Sequence, residues 1–325
     1  MEMLRDSDID PAPLAGKRVA ILGYGNQGRA QSLNLKDSGV DVVVGLRGGS
    51  GSAFEAEATG LQTALVDEAV RSADVVMVLA PDEIHGGLYR EIEPHLRQGA
   101  ALGFSHGLSV RFGLVHPRAD LDVFMVAPKG PGTALRSLYR DGKGMIALWA
   151  VEQDATGNAR GIALAYGKAI GCARAGLIAS SFAEEAEADL FNEQAVVWGG
   201  VPALLVAGFE TLVAGGVAPE VAYLECVGEL HLIAELIESR GIAGMKEVIS
   251  NTAELGALLG GDRIVDSGVR ERMAEVLAEV RAGRFADELR KEEASGYARL
   301  EKARAEANSK PIERTYRRLS GKREP

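Results

Sequence analysis

The segment VAILGYGNQG, residues 19–28, decides the fold of the N-terminal half. An apolar run typical of a strand leads directly into G-x-G-x-x-G, and the helix-compatible RAQSLNLKDSG follows at 29–39. In this setting the three glycines permit a tight turn, close approach of the backbone to a pyrophosphate, and close packing of helix on strand. Because strand, helix and second strand occur in the required order, we predict a dinucleotide site rather than a plain glycine-rich turn.

Short apolar runs extend this pattern to about residue 144, separated by longer segments that suit crossover helices. They are KRVAILG (17–23), VDVVVGL (40–46), ADVVMVLA (73–80), GAALGFS (99–105) and DVFMVAP (122–128). Several are apolar at consecutive positions, which is typical of a parallel sheet buried on both faces. The runs predict an α/β domain over residues 1–180, a Rossmann-like doubly wound parallel sheet with a last strand in ALWAVEQDATG (147–157).

The C-terminal half has a different pattern. Beyond about residue 150 the strand signals fade, and Ala, Leu and Glu recur with helical spacing. This predicts an all-α domain over residues 181–325. A chain of 325 residues exceeds what one hydrophobic core usually organises, which agrees with two domains.

Composition and charge exclude several classes of protein. No apolar run reaches the roughly 18 residues that suggest a membrane span, so we expect a soluble protein without a membrane partner. The formal charge of −10 argues against a nucleic-acid partner, which needs a basic face. Acids near the N-terminus stand where a secretory signal needs a basic and then an apolar run, so we expect a cytoplasmic location. We interpret the two cysteines, Cys172 and Cys226, as small buried residues.

The segment after the second strand, GLRGGSGS at 45–52, indicates which dinucleotide binds. An NAD site usually places Asp or Glu here for the ribose 2′-hydroxyl, and this segment has neither. Arg47, with Ser50 and Ser52, can hold a 2′-phosphate through charge-assisted hydrogen bonds. We therefore favour NADP(H) over the alternative of a solvated loop with an incidental arginine.

Four carboxylates in the C-terminal half form two pairs with a spacing of four, Asp189 with Glu193 and Glu225 with Glu229. This spacing puts each pair on one helix face. Apolar residues surround Glu225 and indicate a buried helix, and buried carboxylates need a cation; oxygen ligands without His or Cys select Mg²⁺ or a similar ion. The competing interpretation is two amphipathic helices whose acids point to solvent. Three nearby acids are expected to be solvated: Glu184, Glu185 and Glu187.

Taken in order, eight motifs resemble those of class I ketol-acid reductoisomerases, enzymes of branched-chain amino-acid synthesis. The resemblance runs from about Leu14 to Arg314, and the motifs that carry it read GYGNQG, NLKDSGVDVVVGLR, SHGLSVRFG, DVFMVAPKGPG, DLFNEQAV, GFETLV, YLECVGELHLI and ISNTAELG. The resemblance implies a knotted helical C-terminal domain and a homodimer or larger homo-oligomer whose active sites are completed by both subunits. It also implies NADPH and two Mg²⁺ as cofactors.

The reaction implied by the resemblance is an Mg²⁺-dependent alkyl shift in 2-acetolactate or 2-aceto-2-hydroxybutyrate, followed by hydride transfer from NADPH to give a 2,3-dihydroxy acid. By motif, Asp189 and Glu193 are metal ligands, and Glu225 and Glu229 are ligands from the neighbouring subunit. Two divalent ions can polarise the ketone and stabilise the alkoxide that starts migration. Glu193 and Glu229 are also candidates for proton transfer, and such interacting carboxylates titrate jointly.

The same motifs imply further site residues. His106, in FSHG, matches the family's active-site histidine, and Lys129, in APKGPG, lies close to it in the family or pairs with an acid beside the metals. Ser250 would bind the substrate carboxylate. The other histidines are expected in loops or at the surface: His85, His95, His116 and His231. The expected cofactor-binding residues are Gly23, Tyr24, Gly25, Asn26, Gln27, Gly28, Arg47, Ser50, Ser52, Pro81, Asp82 and Gly132.

Four residues depart from the family pattern, of which Arg29, Thr133 and Leu255 remove no ligand, and two other functions stay open. Trp198, in AVVWGG, stands where the family usually has a small residue near the substrate's alkyl groups, so its bulk predicts a reshaped pocket and altered substrate preference, as in a paralogue of specialised metabolism. A metal-free β-hydroxyacid dehydrogenase with a catalytic lysine is one alternative, but it leaves the four carboxylates unexplained. An NADP-binding regulatory protein without catalysis is the other, and the intact carboxylates and His106 argue against it.

Overall fold

The computed structural model describes residues 3–321, and the chain divides into two compact units, Met1–Ala188 and Asp189–Pro325. The first unit is built on one sheet with the strand order β1-β9-β8-β7-β6-β5-β2-β3-β4. Its strands are β1 Met3–Leu4, β2 Arg18–Leu22, β3 Asp41–Leu46, β4 Gln62–Leu65, β5 Val75–Val78, β6 Ala101–Phe104, β7 Asp122–Pro128, β8 Ala147–Gln153 and β9 Leu177–Ala179.

The doubly wound sheet is confirmed, and it is mixed rather than wholly parallel. Parallel pairing joins β4, β3, β2, β5, β6 and β7 in that order across the sheet. By contrast, β8 is antiparallel to β7, and β1 is antiparallel to β9. All six predicted strands form. Three strands of the described chain were not predicted: β1 and β9 have only two and three residues, and β4 is an edge strand without a buried residue, so none shows an apolar run.

Both faces of the sheet are buried, as the continuous apolar runs predict. In β2, Val19 and Ile21 belong to one apolar cluster, while Ala20 and Leu22 belong to another. The helices of this unit that contribute to these clusters or connect the strands are α1 Asn26–Asp37, α2 Ser52–Ala58, α3 Val66–Ser72, α4 His85–Ile92, α5 Leu108–Arg111, α6 Gly132–Arg140 and α7 Ala159–Ala169. Carboxyl ends of parallel strands share one edge, so the segments after β2, β3, β5 and β6 meet where such sheets bind ligands.

The second unit is helical throughout the described residues, as predicted, and the division between the units falls inside α8. The knotted topology stays a prediction. The helices are α8 Phe182–Phe191, α9 Gly200–Ala214, α10 Pro219–Tyr223, α11 Leu230–Lys246, α12 Asn251–Ile264, α13 Ser267–Arg281, α14 Arg284–Ala294, α15 Ala298–Ser309 and α16 Pro311–Leu319.

Two π-helical turns, Asn192–Val196 and Leu224–Gly228, interrupt this regular pattern. In the first, the Val197 N–H donates to the Asn192 carbonyl at 2.9 Å, five residues back. The turn packs so tightly that a Cβ on Gly199 would lie 1.9 Å from the Gln194 carbonyl oxygen. Such turns are rare and are concentrated at functional sites.

Much apolar surface of the second unit is exposed in the single chain. Among the described residues, one helical run, Phe182–Ala214, is long and apolar enough to cross a membrane by length and composition alone, and 6% of its apolar window is buried. Glu225 is exposed, so the expectation of a buried helix around it is wrong for the chain by itself. The physical reason is that its apolar neighbours, including Val221, Leu224, Leu232 and Ile233, are about half exposed and not covered.

Candidate active site

Each of the three positions in the glycine-rich turn needs glycine for a different structural reason. Gly23 follows β2 with a φ of +101°, and a Cβ there would lie 2.9 Å from the Ala80 nitrogen. A Cβ on Gly28 would lie 2.2 Å from the Gly23 carbonyl oxygen, so the start of α1 packs directly on the turn. At Gly25 a Cβ would meet nothing within 4 Å in the described chain, which leaves room for a ligand. Among the described residues no side chain caps α1, so its first N–H groups can bind a phosphate.

We predict that alanine at Gly28 and alanine at Gly25 have different effects. Gly28→Ala is expected to destabilise the fold by about 3 kcal/mol, because the new methyl group overlaps a backbone oxygen. Gly25→Ala is expected to leave the melting temperature unchanged but to weaken NADPH binding on the order of tenfold, because the methyl group enters the ligand's space. Thermal unfolding and NADPH titration of both variants check this pair, and an unaltered NADPH affinity of Gly25→Ala would contradict it.

A cavity of about 730 Å³ opens beside the glycine-rich turn at the carboxyl edge of the sheet. His106 lines it. It also brings together ten of the twelve predicted cofactor-binding residues, namely Gly23, Tyr24, Gly25, Asn26, Gln27, Arg47, Ser50, Ser52, Pro81 and Asp82. Gly28 and Gly132 do not line it. A Cβ on Gly132 would lie 2.1 Å from the Asn26 carbonyl oxygen, so this glycine is needed where α6 packs against the start of α1.

The loop after β3 provides the positive charge near this cavity. Arg47 is exposed, and it lines the cavity with Ser50 and Ser52 at the point where α2 begins. The residues between Leu46 and Ser52 include no acid, so nothing there would repel a phosphate. The arrangement suits the adenosine 2′-phosphate of NADP(H).

His106 lies at the cavity between two carboxylates. Its Nδ1 is 3.4 Å from Asp82 Oδ2, and its Nε2 is 3.8 Å from Glu185 Oε2. Burial opposes ionisation of Asp82, but the hydrogen bond and the charge of His106 outweigh burial and lower the Asp82 pKa. Asp82 is therefore an anion at neutral pH, oriented towards His106.

Glu185 was expected to be solvated, and that expectation is wrong. Its side chain is 1% exposed, accepts a hydrogen bond from the Gly107 N–H at 2.7 Å, and pairs with Lys129 Nζ at 3.2 Å. The missed signal is helical spacing: Glu185 lies three residues after Phe182 and one before Ala186, both buried, so it sits on the apolar face of α8. Of its neighbours, Glu184 is exposed, as predicted, but the expectation is wrong for Glu187, whose side chain is 17% exposed and pairs with Arg111 at 2.9 Å.

His85 was expected in a loop or at the surface, and it is instead 3% exposed in the first turn of α4. Leu88, Tyr89 and Ile92 recur after it with helical spacing, and the last two are buried, so the same periodicity places His85 on the inner face. Its Nδ1 lies 2.7 Å from Ser109 Oγ and 3.7 Å from Asp82 Oδ1. His85 therefore belongs to the surroundings of the cavity.

Three of the four predicted metal ligands lie in or beside the π-turns, and Asp189 lies on the regular helix α8. Asp189 lies one turn after Glu185 on α8, and Glu193 lies in the π-turn that follows. Glu225 lies in the second π-turn, and Glu229 joins that turn to α11. Four carboxylates without a thiol or imidazole among them are a donor set that fits Mg²⁺. Within a single chain, Glu225 and Glu229 are exposed.

The two predicted substrate residues, Ser250 and Trp198, lie at a helix start and at the surface of the single chain. The Ser250 hydroxyl caps α12 by accepting a hydrogen bond from the Ala253 N–H at 3.2 Å. Trp198 is 67% exposed between the first π-turn and α9. Their roles towards substrate stay predictions.

Comparison with known proteins assigns both halves of the chain. Residues 13–176 match the family model of the acetohydroxy acid isomeroreductase NADPH-binding domain, and residues 182–324 match that of the ketol-acid reductoisomerase C-terminal domain. A ketol-acid reductoisomerase (NADP(+)) of Kineococcus radiotolerans is 51% identical over 319 residues, which cover 98% of this chain and 93% of that protein.

Solved structures agree. An NADH-preferring ketol-acid reductoisomerase from an uncultured archean superposes with a TM-score of 0.95 at 42% identity, and the match covers 99% of each chain. A semialdehyde dehydrogenase NAD-binding protein from Cupriavidus necator, at 19% identity and a TM-score of 0.61 over 82% of this chain and 99% of that one, shares the fold alone. The chain therefore belongs to the ketol-acid reductoisomerase family, with that family's NADPH-binding domain followed by its C-terminal domain.

Proposed function

We propose that this chain is a cytoplasmic, NADPH- and Mg²⁺-dependent ketol-acid reductoisomerase of branched-chain amino-acid biosynthesis. It would move the alkyl group of 2-acetolactate or 2-aceto-2-hydroxybutyrate from C2 to C3 and then reduce the new C2 ketone with NADPH and a proton. The observation that carries the proposal is the match of both domains and of 98% of the chain to a curated relative with this activity. The cavity beside the glycine-rich turn supports it, because it holds His106 next to the expected cofactor site.

Asp189 and Glu193, with Glu225 and Glu229 of a neighbouring subunit, would hold two Mg²⁺, which supply Lewis-acid stabilisation of the developing alkoxide when bound. Their carboxylate oxygens fit that ion, and the π-turns that carry Glu193 and Glu225 set these side chains off from a regular helix. Glu193 or Glu229 would transfer protons at a carboxylate oxygen.

Several side chains of the first unit would prepare the site. Lys129 neutralises the buried Glu185, and Glu185 in turn accepts from Gly107 and so fixes the backbone next to His106. His106 would act on the substrate as a polar or proton-transferring group. Arg47, Ser50 and Ser52 would bind the 2′-phosphate, and Gly132 would keep α6 close to the pyrophosphate.

The exposed apolar surface of the second unit supports a homodimer or larger homo-oligomer. Trp198, Leu224, Leu258 and Leu259 are between 54% and 71% exposed, and large apolar patches on a surface are typical of protein–protein interfaces. We propose that a second copy of this chain covers it, because the same surface carries Glu225, whose carboxylate the site needs. The proposed partners otherwise are small molecules, without nucleic acid or membrane.

Shared active sites predict complementation between two inactive variants. Asp189→Asn and Glu225→Gln chains would each be inactive alone. In a mixed dimer both changes fall in one site and leave the other intact, so an equal, randomly assembled mixture should recover about a quarter of the unsubstituted activity. Turnover and size-exclusion light scattering of the co-expressed mixture check this. No recovery in a confirmed dimer would mean that each site is built from a single chain.

A separate proposal is that Trp198 alters the preference between the two acetohydroxy acids. A large indole near the alkyl groups would lower kcat/KM for the ethyl-bearing acid relative to the methyl-bearing one, and Trp198→Ala would relax the ratio. Equal kcat/KM for 2-acetolactate and 2-aceto-2-hydroxybutyrate in the unsubstituted chain would contradict it.

The proposed function is tested by NADPH oxidation with 2-acetolactate, and separately with simple 2-oxo acids, each with and without Mg²⁺. We expect turnover of acetolactate that requires Mg²⁺. Reduction of simple oxo acids alone, without any Mg²⁺ requirement, would favour the metal-free β-hydroxyacid dehydrogenase. Tight NADPH binding without turnover of either class would favour a regulatory protein.

A further inference from the structure

Two buried side chains next to the cofactor cavity, His85 and Ser109, are not used by the proposed chemistry. His85 is 3% exposed and Ser109 is completely buried. His85 begins α4, directly after the turn at 79–84 that lines the cavity. Ser109 lies on α5, which follows His106 in the chain. A buried imidazole at this place needs a structural or functional reason.

Both ring nitrogens of His85 have partners, and these partners fix the tautomer. Nε2 lies 2.8 Å from the Ala80 carbonyl oxygen, which can only accept, so Nε2 carries the proton and donates. Nδ1 of the neutral ring then accepts from the Ser109 hydroxyl at 2.7 Å. Burial lowers the pKa of His85 despite the opposing effects of Asp82 and of the Ala80 carbonyl, which favours this neutral form.

His85 joins the segments that border the cavity. Ala80, whose carbonyl it binds, packs against the glycine-rich turn, since a Cβ on Gly23 would lie 2.9 Å from the Ala80 nitrogen. The imidazole also contacts Phe104 at the end of β6, with ring centroids 6.0 Å apart. Asp82 lies between two imidazoles, with Oδ1 3.7 Å from His85 Nδ1 and Oδ2 3.4 Å from His106 Nδ1. Asp82 follows Ala80 by two residues, so a shift of His85 would move the cofactor turn and, through the backbone, the carboxylate that orients His106.

We propose that His85, held by Ser109, is a positioning residue that fixes the turn at 80–82 beside the bound dinucleotide and keeps Asp82 against His106. It acts through Ala80 and Asp82 rather than on the reacting atoms. The inference rests on the proposed function for its kinetic readout only, because NADPH binding tests it without turnover.

The test compares three substitutions in the full chain. His85→Phe keeps an aromatic ring against Phe104 but loses both hydrogen bonds, so the NADPH Kd is expected to rise, and kcat to fall, about tenfold each. His85→Gln has an amide that can still donate to the Ala80 carbonyl, so the NADPH Kd should return to within about threefold of the unsubstituted value. Ser109→Ala removes only the hydroxyl group that holds Nδ1, so the rise in the NADPH Kd and the fall in kcat should be smaller than in His85→Phe. His95→Phe, a histidine away from the cavity, is the matched control and should change neither quantity.

A purely structural role would give a different result. If His85→Phe lowers the melting temperature but leaves the NADPH Kd and kcat unchanged, the positioning role is wrong. If His85→Phe does not fold, Ser109→Ala decides the question, since unchanged Kd and kcat in that variant would also overturn the proposal. An unsubstituted chain that binds NADPH but turns over no acetohydroxy acid would refute the proposed function, and the Kd ratios of the variants would still decide the role of His85.

Discussion

Asn in place of Asp189 is expected to lower Mg²⁺-dependent turnover at least about a thousandfold while NADPH binds as before. The change keeps the size of the side chain and removes its charge, and a hard divalent cation binds charged oxygens far better than neutral amides. Asp189 lies on α8, one turn after the buried Glu185, and α8 is already anchored at that turn. The loss should therefore come from the metal site and not from the fold. Calorimetric Mg²⁺ titration and steady-state kinetics measure it.

Glu184→Gln on the same helix is the matched control for Asp189→Asn. Glu184 is exposed and accepts a hydrogen bond from the Ser180 hydroxyl at 2.8 Å, so its charge is solvated. This variant should keep its kcat and its Mg²⁺ affinity. If Asp189→Asn also keeps both, Asp189 is not a metal ligand, and the proposed site must be rebuilt from other carboxylates.

Glu185→Ala is expected to lower the free energy of unfolding by about 2–3 kcal/mol and to abolish most turnover. The substitution leaves the Gly107 N–H without its acceptor in a buried place and removes the carboxylate partner of Lys129. The segment that carries His106 then loses its anchor to α8, so His106 is no longer held at the cavity. Chemical denaturation gives the stability change, and kcat gives the functional one.

The neighbouring acid again provides the comparison. Glu184→Ala should change stability by no more than about 0.5 kcal/mol, because surface substitutions away from buried contacts rarely do more. Equal effects of Glu185→Ala and Glu184→Ala on stability and turnover would show that the buried contact with Gly107 has no special importance.

The sheet and its cofactor edge could be predicted from sequence because their signals are local. Gly23 and Gly28 are required by close backbone contacts, with Ala80 after β5 and with Gly23 itself, while Gly25 leaves open space for a ligand, and such requirements leave a motif. Short edge strands such as β4 have no room for periodicity, and the antiparallel direction of β8 depends on how the chain returns after α6, which no local pattern records.

Glu185 and His85 were missed for a shared reason. Each is a polar residue on the apolar face of a helix, and polarity alone predicts a solvated position. The structure shows why burial is tolerated: Glu185 meets Gly107 and Lys129, while His85 meets Ser109 and Ala80. These partners are distant in sequence, with the single exception of Ala80, so only the fold reveals them.

The surroundings of Glu225 and Trp198 could not be predicted for another physical reason. Their apolar neighbours indicate burial, and within one chain they are exposed. Hydrophobicity in a sequence records that a surface is removed from water, but not whether the same chain or a second copy removes it. The apolar sequence around Glu225 and its exposure in the single chain are consistent with each other if a second copy of the chain covers this surface.

The most direct test of the proposed reaction is the identity of the product formed from 2-acetolactate carrying a ¹³C label in the C2 methyl group, with NADPH and Mg²⁺. The account predicts that NMR shows 2,3-dihydroxy-3-methylbutanoate with the labelled methyl group attached to C3, and that one NADPH is oxidised for each product molecule. A product that keeps the labelled methyl group on C2 would mean that the chain reduces without isomerising, and it would contradict the assignment as a reductoisomerase.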